Sequence, residues 1–255
     1  MLDAAHLYRK FVGTFEMQYW DYCRRLVEFV IDHWHEPDEG IWETRAGPRH
    51  FVFSKVLCWV ALDRAIKSAR ALGLSADLDL WRAVRAEIKE EVLRKGFDAS
   101  RGTFVQAYGS KNLDAAALTL PLFGFIRADD QRMRSTIEAI ERELTSPQGL
   151  VYRYRNFDDG LIGDEGTFVM CTYWLADNLI EVGQLDRARA LFEKLNAYRN
   201  DLGLFSEQID GDTGELRGNF PQAFSHMALI NTAVMLQRDE RRRATAQAAP
   251  DEAAT

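Results

Sequence analysis

Asp38-Glu39-Gly40-Ile41-Trp42-Glu43-Thr44-Arg45, followed at once by Gly47-Pro48-Arg49-His50-Phe51, is a glycine-containing turn set between two long stretches of helical periodicity. Far downstream, Asp201-Leu202-Gly203-Leu204-Phe205-Ser206-Glu207-Gln208 repeats the order glycine, apolar, aromatic and then Glu, again between helical stretches. Gly102-Thr103-Phe104 and Gly149-Leu150-Val151-Tyr152 are two further turns in which a glycine precedes an aromatic residue. Gly40, Gly102, Gly149 and Gly203 therefore recur at intervals of roughly 45–60 residues, the mark of a stacked supersecondary repeat.

The segments between the turns alternate in character. Apolar residues dominate near 2–12, 51–72, 112–125, 165–181 and 220–237, whereas 15–34, 77–95, 130–144 and 186–200 are amphipathic and richer in charge. The stretch Val52, Phe53, Val56, Leu57, Trp59, Val60, Leu62, Ile66 is apolar almost all round, as in a helix buried on most sides. Pro37 ends the helix before the first turn, Gly73 stops the next one, and Pro121 kinks or closes the apolar helix over 112–125. Hairpins of this kind, with the long loop always on the same side, build an all-α, α/α toroid. The apolar helices line its inside, the charged ones its outside, and the long loops gather around a central mouth. The reading gives about nine helices, fewer than a closed ring of six hairpins needs. Residues 1–237 form the helical domain, and 238–255, with Arg241-Arg242-Arg243 and then Ala, Gln, Pro and Asp, has too little hydrophobicity to pack and is expected to be a disordered tail.

The chain has 255 residues, 47% of them hydrophobic, enough for a sizeable core. Its formal charge is −7 and its Lys and Arg are interspersed with acids, which argues against a nucleic-acid partner. Cys23, Cys58 and Cys171 are widely spaced, odd in number and set in apolar runs, so they read as buried thiols in a reducing compartment. The N-terminus lacks the basic and apolar regions of a signal peptide, and the best apolar run, Val52 to Leu62, is interrupted by Lys55 and too short to cross a bilayer. A cytoplasmic protein with no membrane association is expected. Asp158-Asp159-Gly160 resembles half of a calcium loop without the remaining ligands, so no metal is expected. No phosphate loop, dinucleotide fingerprint or nucleophile elbow occurs, and no cofactor is expected.

An acidic side chain beside a tryptophan on a turn is the arrangement expected where a carboxyl group is held against a sugar ring. Glu43 is such an acid, and with Glu207 on an equivalent turn of a repeated scaffold the two carboxylates suggest an acid and a base facing one cleft.

Gly40-Ile41-Trp42-Glu43, Leu204-Phe205-Ser206-Glu207-Gln208 and Gly218-Asn219-Phe220-Pro221-Gln222-Ala223-Phe224-Ser225-His226 resemble glycoside hydrolase family 15, which contains glucoamylases, glucodextranases and bacterial trehalases. Lys55-Val56-Leu57-Cys58-Trp59 with Asp63-Arg64-Ala65, and Asp164-Glu165-Gly166-Thr167-Phe168, resemble its bacterial trehalase and glucoamylase branch, and the resemblance runs from about residue 2 to 237. It implies an (α/α)6 barrel and inverting hydrolysis of an α-glucoside such as trehalose or a malto-oligosaccharide, with release of glucose. It places the general acid on Glu43 and the general base on Glu207. One carboxyl must be protonated, which an apolar neighbour such as Trp42 favours; the other must stay ionised to activate a water, with roughly 6.5–9.5 Å between the two for inversion. Trp42 would offer a stacking face to a pyranose. Arg45, Arg49, His50 and Lys55 are candidates for its hydroxyls. Arg153, Arg155 and Glu165 fall on the third loop and the start of the next inner helix, and the family's substrate-binding arginine falls on either Arg153 or Arg155. Thr44 stands where fungal members have a second acid.

The resemblance also implies a long stretch ahead of residue 2, with a β-sandwich domain and the first helical hairpins of the barrel. The arc would then be completed by that missing N-terminal part in a longer product, or by another chain, and inner-helix surface would otherwise face water. An alternative from another class is a truncated or decayed hydrolase that serves as a non-catalytic sugar- or protein-binding helical scaffold. Individual residues have ordinary readings too: Glu43 and Glu207 as solvated loop acids, Trp42 as a loop anchor, His50 and His226 as hydrogen-bonded structural residues, and Arg153 and Arg155 as partners of Asp158, Asp159 or Asp164.

Overall fold

Val52–Leu72, the most uniformly apolar stretch, is a helix (α3) on which much of the first half of the chain packs. The computed structural model describes residues 1–13, 16–155 and 165–248. The chain divides into two compact units, one of Met1–Ile126 and another that begins at Arg127. In the first, α1 (Leu2–Val12), α2 (Met17–His33) and α4 (Leu78–Lys95) all pack against α3. Val56, Val60, Leu62 and Ile66 of α3 are buried, and Trp20 of α2 meets Trp81 of α4 at 6.1 Å between ring centroids. Asp77 caps α4 by accepting from the Leu80 N–H, which supplies a partner to one of the donors a helix start leaves unmet. The buried Asp63 of α3 takes Arg64 at 2.7 Å, Lys67 at 2.7 Å and Arg85 of α4 at 2.9 Å, and Arg64 also reaches Asp3 of α1 at 2.6 Å. Burial works against the Asp63 anion, but the hydrogen bonds and charges of Lys67 and Arg64 outweigh it and hold the carboxyl below its usual range.

A two-residue hairpin, β1 (Phe97–Asp98) against β2 (Thr103–Phe104), follows α4. The long apolar helix expected over 112–125 is instead a 3-10 turn, Ala115–Leu118, running into a single α-turn, α5 (Thr119–Leu122). Pro121 is the reason: without an N–H it cannot bond the carbonyl of Ala117, so the preceding residues tighten into 3-10 geometry.

In the second unit, α6 (Gln131–Glu143) is capped by Asp130, and α7 (Val169–Glu181) packs against α8 (Leu185–Asn196) and α9 (Ala223–Ala248). Leu150, Val169, Tyr173, Leu195, Phe205 and Ile209 form its core, with Tyr173 and Phe205 edge-on at 6.2 Å. A small antiparallel sheet joins β3 (Thr167–Phe168), β4 (Gln208–Ile209) and β5 (Leu216–Arg217), with Phe168 opposite Gln208 and Gln208 opposite Arg217. Strand β3 takes the residues expected to open the inner helix at 165, so α7 starts at Val169.

The other difference is at the C-terminus. Helix α9 continues through Arg241-Arg242-Arg243 to Ala248, past the expected start of a disordered tail at 238. Ala, Arg and Gln are good helix formers, Arg243 pairs with Asp239 one turn back, and Arg189 of α8 reaches Glu240. Residues 249–255 lie outside the described residues. Phe224, Met227, Ile230 and Val234 give α9 an exposed apolar stripe, 56%, 58%, 60% and 39% accessible. No helix among the described residues is long and apolar enough to cross a membrane.

Helix α7 carries one buried acid, Asp177, which accepts the Thr232 hydroxyl of α9 at 2.6 Å. Burial, seconded by nearby Glu181, pushes its carboxyl up to about 7. A carboxyl raised above its unfolded value of roughly 3.9 contributes stability that is complete below that value and lost as pH rises toward 7. Asp177→Asn keeps an acceptor for Thr232 and removes the titration. In urea unfolding, its stability relative to the parent should climb between pH 4 and 7 by at most about 4 kcal/mol and then level off. A difference independent of pH would exclude this account.

Candidate functional site

The loop that carries Glu43 is closed at its base by a two-residue bridge: the Asp38 N–H donates to the Arg49 carbonyl at 2.9 Å, and the Arg49 N–H donates to the Asp38 carbonyl at 2.7 Å. The Asp38 carboxylate accepts from the Gly40 N–H at 2.7 Å and the Ser54 hydroxyl at 2.9 Å. Gly40 sits at φ 73, and a Cβ there would come within 2.9 Å of the Phe51 ring, so the turn requires glycine on two grounds. Lys55, expected to face a sugar, is 1% exposed; its amine donates to the Trp34 carbonyl at 2.6 Å and to the Glu36 carbonyl. Burial lowers its pKa. It fastens the end of α2 beneath the loop and presents nothing to solvent.

Trp42 is half-buried, its indole N–H donating to both carboxylate oxygens of Asp114 at 3.0 Å. Glu43, next in the chain, is exposed and stands at φ 49, the one non-glycine residue at positive φ among the described residues. An L-residue in this region stores about 1–3 kcal/mol of strain, which tends to persist where function holds it. Thr44 is buried, Arg45 and Arg49 are exposed, and half-buried His50 stacks on Tyr108 at 5.8 Å. Burial, then the Lys55 charge, lowers the His50 pKa and favours a neutral imidazole. Trp42, Glu43, Arg45, Arg49 and His50 thus share one loop, with Lys55 as its underside.

The second carboxylate is held differently. The Glu207 side chain accepts from the Asn219 N–H at 3.3 Å, the Asn219 amide at 3.2 Å and the Gln222 amide at 3.3 Å. Its backbone lies between Asn219 and α7: the Glu207 N–H donates to the Asn219 carbonyl at 2.9 Å, and the Val169 N–H donates to the Glu207 carbonyl at 3.1 Å. Gly218, at φ 74, leaves the space the carboxylate occupies, since a Cβ there would be 2.8 Å from Glu207 Oε2. His226 accepts the Phe205 N–H at Nε2 and faces the Gln222 carbonyl with Nδ1 at 2.8 Å, which assigns the proton to Nδ1 and a structural role to the ring.

Arg153 is half-buried, paired through Nε with Glu165, and lies 5.3 Å over the Phe168 ring; exposed Arg155 lies 4.4 Å over Tyr152. Their expected partners Asp158, Asp159 and Asp164, and the Asp158-Asp159-Gly160 segment, lie outside the described residues. Glu165 leads into β3 and Glu207 into β4, so the register of these two strands ties the Arg153–Glu165 pair to the Glu207 loop. Among the described residues no cluster of His, Cys, Asp and Glu could hold a metal. Asn219 and Gln222 lie inside a segment quoted above, and only their contact with Glu207 was missed. Asp114, 72 residues from Trp42, carried no local signal.

The sequence pattern of Glycosyl hydrolases family 15 matches residues 1–234. A trehalase of Mycolicibacterium smegmatis is 47% identical over 242 residues, 94% of this chain and 36% of its own length. A trehalase of Thermoplasma volcanium is 45% identical over 93% of this chain and 38% of its own length. The chain thus spans little more than a third of these relatives. Among solved structures, the glucoamylase of Saccharomycopsis fibuligera superposes with TM-score 0.69 at 12% identity over 83% of this chain and 60% of its own. A bacterial glucoamylase in complex with acarbose gives 0.70 at 16% identity, over 86% of this chain and 39% of its own. The fold is the all-α, α/α toroid class expected from the sequence, to which the short strands are additions.

Gly203 and Gly218 share nearly the same φ, 79 and 74, but only Gly218 has a neighbour within reach of an added Cβ. Gly203→Ala should lose about 1 kcal/mol from backbone strain alone, and Gly218→Ala about 2 kcal/mol or more in chemical denaturation. Equal losses would show that the Glu207 carboxylate moves aside freely.

Proposed function

Because the chain belongs to glycosyl hydrolases family 15, we propose that it contributes an acid and a base carboxylate to inverting hydrolysis of an α-glucosidic bond, with trehalose as the favoured substrate and malto-oligosaccharides as the alternative. The observation that carries this reading is the backbone of Glu43. Strain is concentrated at this residue, beside an anchored tryptophan, where the family resemblance places the acid.

In this mechanism Glu43 donates its proton to the glycosidic oxygen as the bond to the anomeric carbon breaks. Glu207 takes a proton from the water that attacks that carbon from the opposite face, and the configuration inverts. The two carboxyls suit these tasks. Glu43 has an exposed carboxyl on a tight turn, open to a substrate oxygen. Glu207 is aimed by three N–H donors from Asn219 and Gln222. The indole face of Trp42 stacks on the sugar ring; Arg45, Arg49 and His50 are the polar groups of that loop available to its hydroxyls. Of the two candidate arginines we favour Arg153, because its pairing with Glu165 and the β3–β4 register fix it with respect to Glu207. Lys55 is proposed to hold the loop and not the sugar. The trehalase relatives support the substrate. Cys23, Cys58 and Cys171 form no disulfide with one another, and burial pushes the Cys58 thiol up to about 11, which suits a reducing cytoplasm.

Hydrolysis followed by proton NMR tests the reading. Maltose should yield β-glucose from its non-reducing end, and α,α-trehalose one β- and one α-glucose at first. Glu207→Gln and Glu43→Gln should each lower kcat by about 10³-fold or more. Retained configuration, or a Glu207→Gln variant as fast as the parent, would overturn it. Glu43→Asn should abolish turnover while leaving the fold as stable or about 0.5–1 kcal/mol more so, since Asn tolerates positive φ; lower stability would show that the φ of Glu43 carries no strain.

A further inference from the structure

The position of Glu43 rests on very little of its own. Its side chain is exposed, and its N–H reaches the Gly40 carbonyl only at 3.3 Å. Beside it in the loop, half-buried Trp42 ends on Asp114. Asp114 is 5% exposed and stands just before the 3-10 turn Ala115–Leu118. Its carboxylate accepts the Trp42 indole N–H at both oxygens, the Gln106 amide at 3.2 Å and the Ala116 N–H at 2.7 Å. The last bond caps the 3-10 turn, and the Val52 N–H, at the start of α3, donates to the Gln106 carbonyl at 3.0 Å. The carboxylate is therefore mounted on the segment that also frames α3, while its partner Trp42 belongs to the loop closed at its base by the Asp38–Arg49 bridge.

We infer that Asp114 is a positioning residue for the acid: by receiving the indole N–H at both oxygens it fixes the plane of Trp42, and through the adjoining peptide it fixes the carboxyl of Glu43. The inference rests on the proposed roles of Trp42 and Glu43. A buried carboxylate has two oxygens to offer a single N–H, so the indole is held against rotation about both of its side-chain torsions. An amide at the same place presents one oxygen and one NH2. In Asp114→Asn the oxygen that caps Ala116 also keeps its 3.0 Å bond from the indole, while the NH2 in place of the second oxygen faces the indole N–H and the Gln106 amide, donor against donor. Trp42 is then held at one oxygen and opposed at the other, so its plane is no longer fixed, while the 3-10 turn keeps its cap. A displacement of about 1 Å at a reacting group can reduce turnover by about 100-fold, because proton transfer demands close alignment.

The test is a double-mutant cycle in kcat and KM for trehalose, using the protein at its natural length, with Asp114→Asn, Trp42→Phe and the pair. Phenylalanine keeps an aromatic face and removes the N–H. Asp114→Asn is expected to lower kcat by about 10- to 100-fold with a smaller change in KM, and to cost less than 2-fold further when Trp42 is already Phe. Near-parental unfolding midpoints would accompany this, and Gln106→Ala, which leaves the Trp42 bond intact, should lower kcat less than Asp114→Asn does. If the losses at Asp114 and Trp42 multiply, Asp114 does not act through Trp42 and the inference is overturned. It is overturned equally if Asp114→Asn lowers kcat no more than Gln106→Ala. If the unsubstituted protein hydrolyses no α-glucoside, the functional reading itself fails, and this inference with it.

Discussion

A helical hairpin satisfies its own backbone everywhere except where it turns, and the longer the loop, the more N–H and C=O groups must find partners elsewhere. This constraint shapes both functional loops. At the end of α2, carbonyls that no helix turn can receive are met by the Lys55 amine, and the next residues close on themselves through the Asp38–Arg49 bridge. Around Glu207 the requirement is met by the β3–β4–β5 sheet and by the Asn219 backbone. The charged and polar groups nearest the two glutamates are thus first of all solutions to a backbone problem. Their rigidity follows from that.

The buried acids show how the same side chain takes different characters according to its neighbours. Asp63 is surrounded by Arg64, Lys67 and Arg85 and stays ionised against its burial. Asp177, with one hydroxyl and a nearby carboxylate, is driven toward its neutral form. Asp114 receives N–H groups from three segments and joins them. Each lies in a helix contact or beneath a loop, where water is excluded and a carboxyl must find partners or lose its charge.

The helical alternation was legible because α3 and α7 are apolar on most sides while α4, α6 and α8 are not, a contrast that a sequence displays directly. The two turns that carry Glu43 and Glu207 were legible through short motifs that keep Trp42 beside Glu43 and Ser206 beside Glu207. What the sequence did not show depends on distance or on backbone angles. Strands of two residues have no periodicity to read. Pro121 was recognised as a breaker, but its power to shorten the helix to a 3-10 turn and one α-turn depends on which carbonyl it abandons. Lys55 was a candidate for sugar hydroxyls through its place just after the Glu43 loop, and the Trp34 and Glu36 carbonyls that take its amine lie 21 and 19 residues back. The positive φ of Glu43 and the contact of Trp42 with Asp114 are properties of the closed loop.

The span of that contact bears on how such a loop can be inherited. Gly40 to His50 looks like a compact cassette, bounded by a bridge and transferable between scaffolds. Yet its indole is held by a residue 72 positions away, and its floor is Lys55 of the following helix. A recombination event with a crossover anywhere between Trp42 and Asp114 would pair the loop with a foreign mount. Glu43 would survive in the sequence and lose its setting, so inheritance of this loop is expected to proceed in one block from α2 to α5.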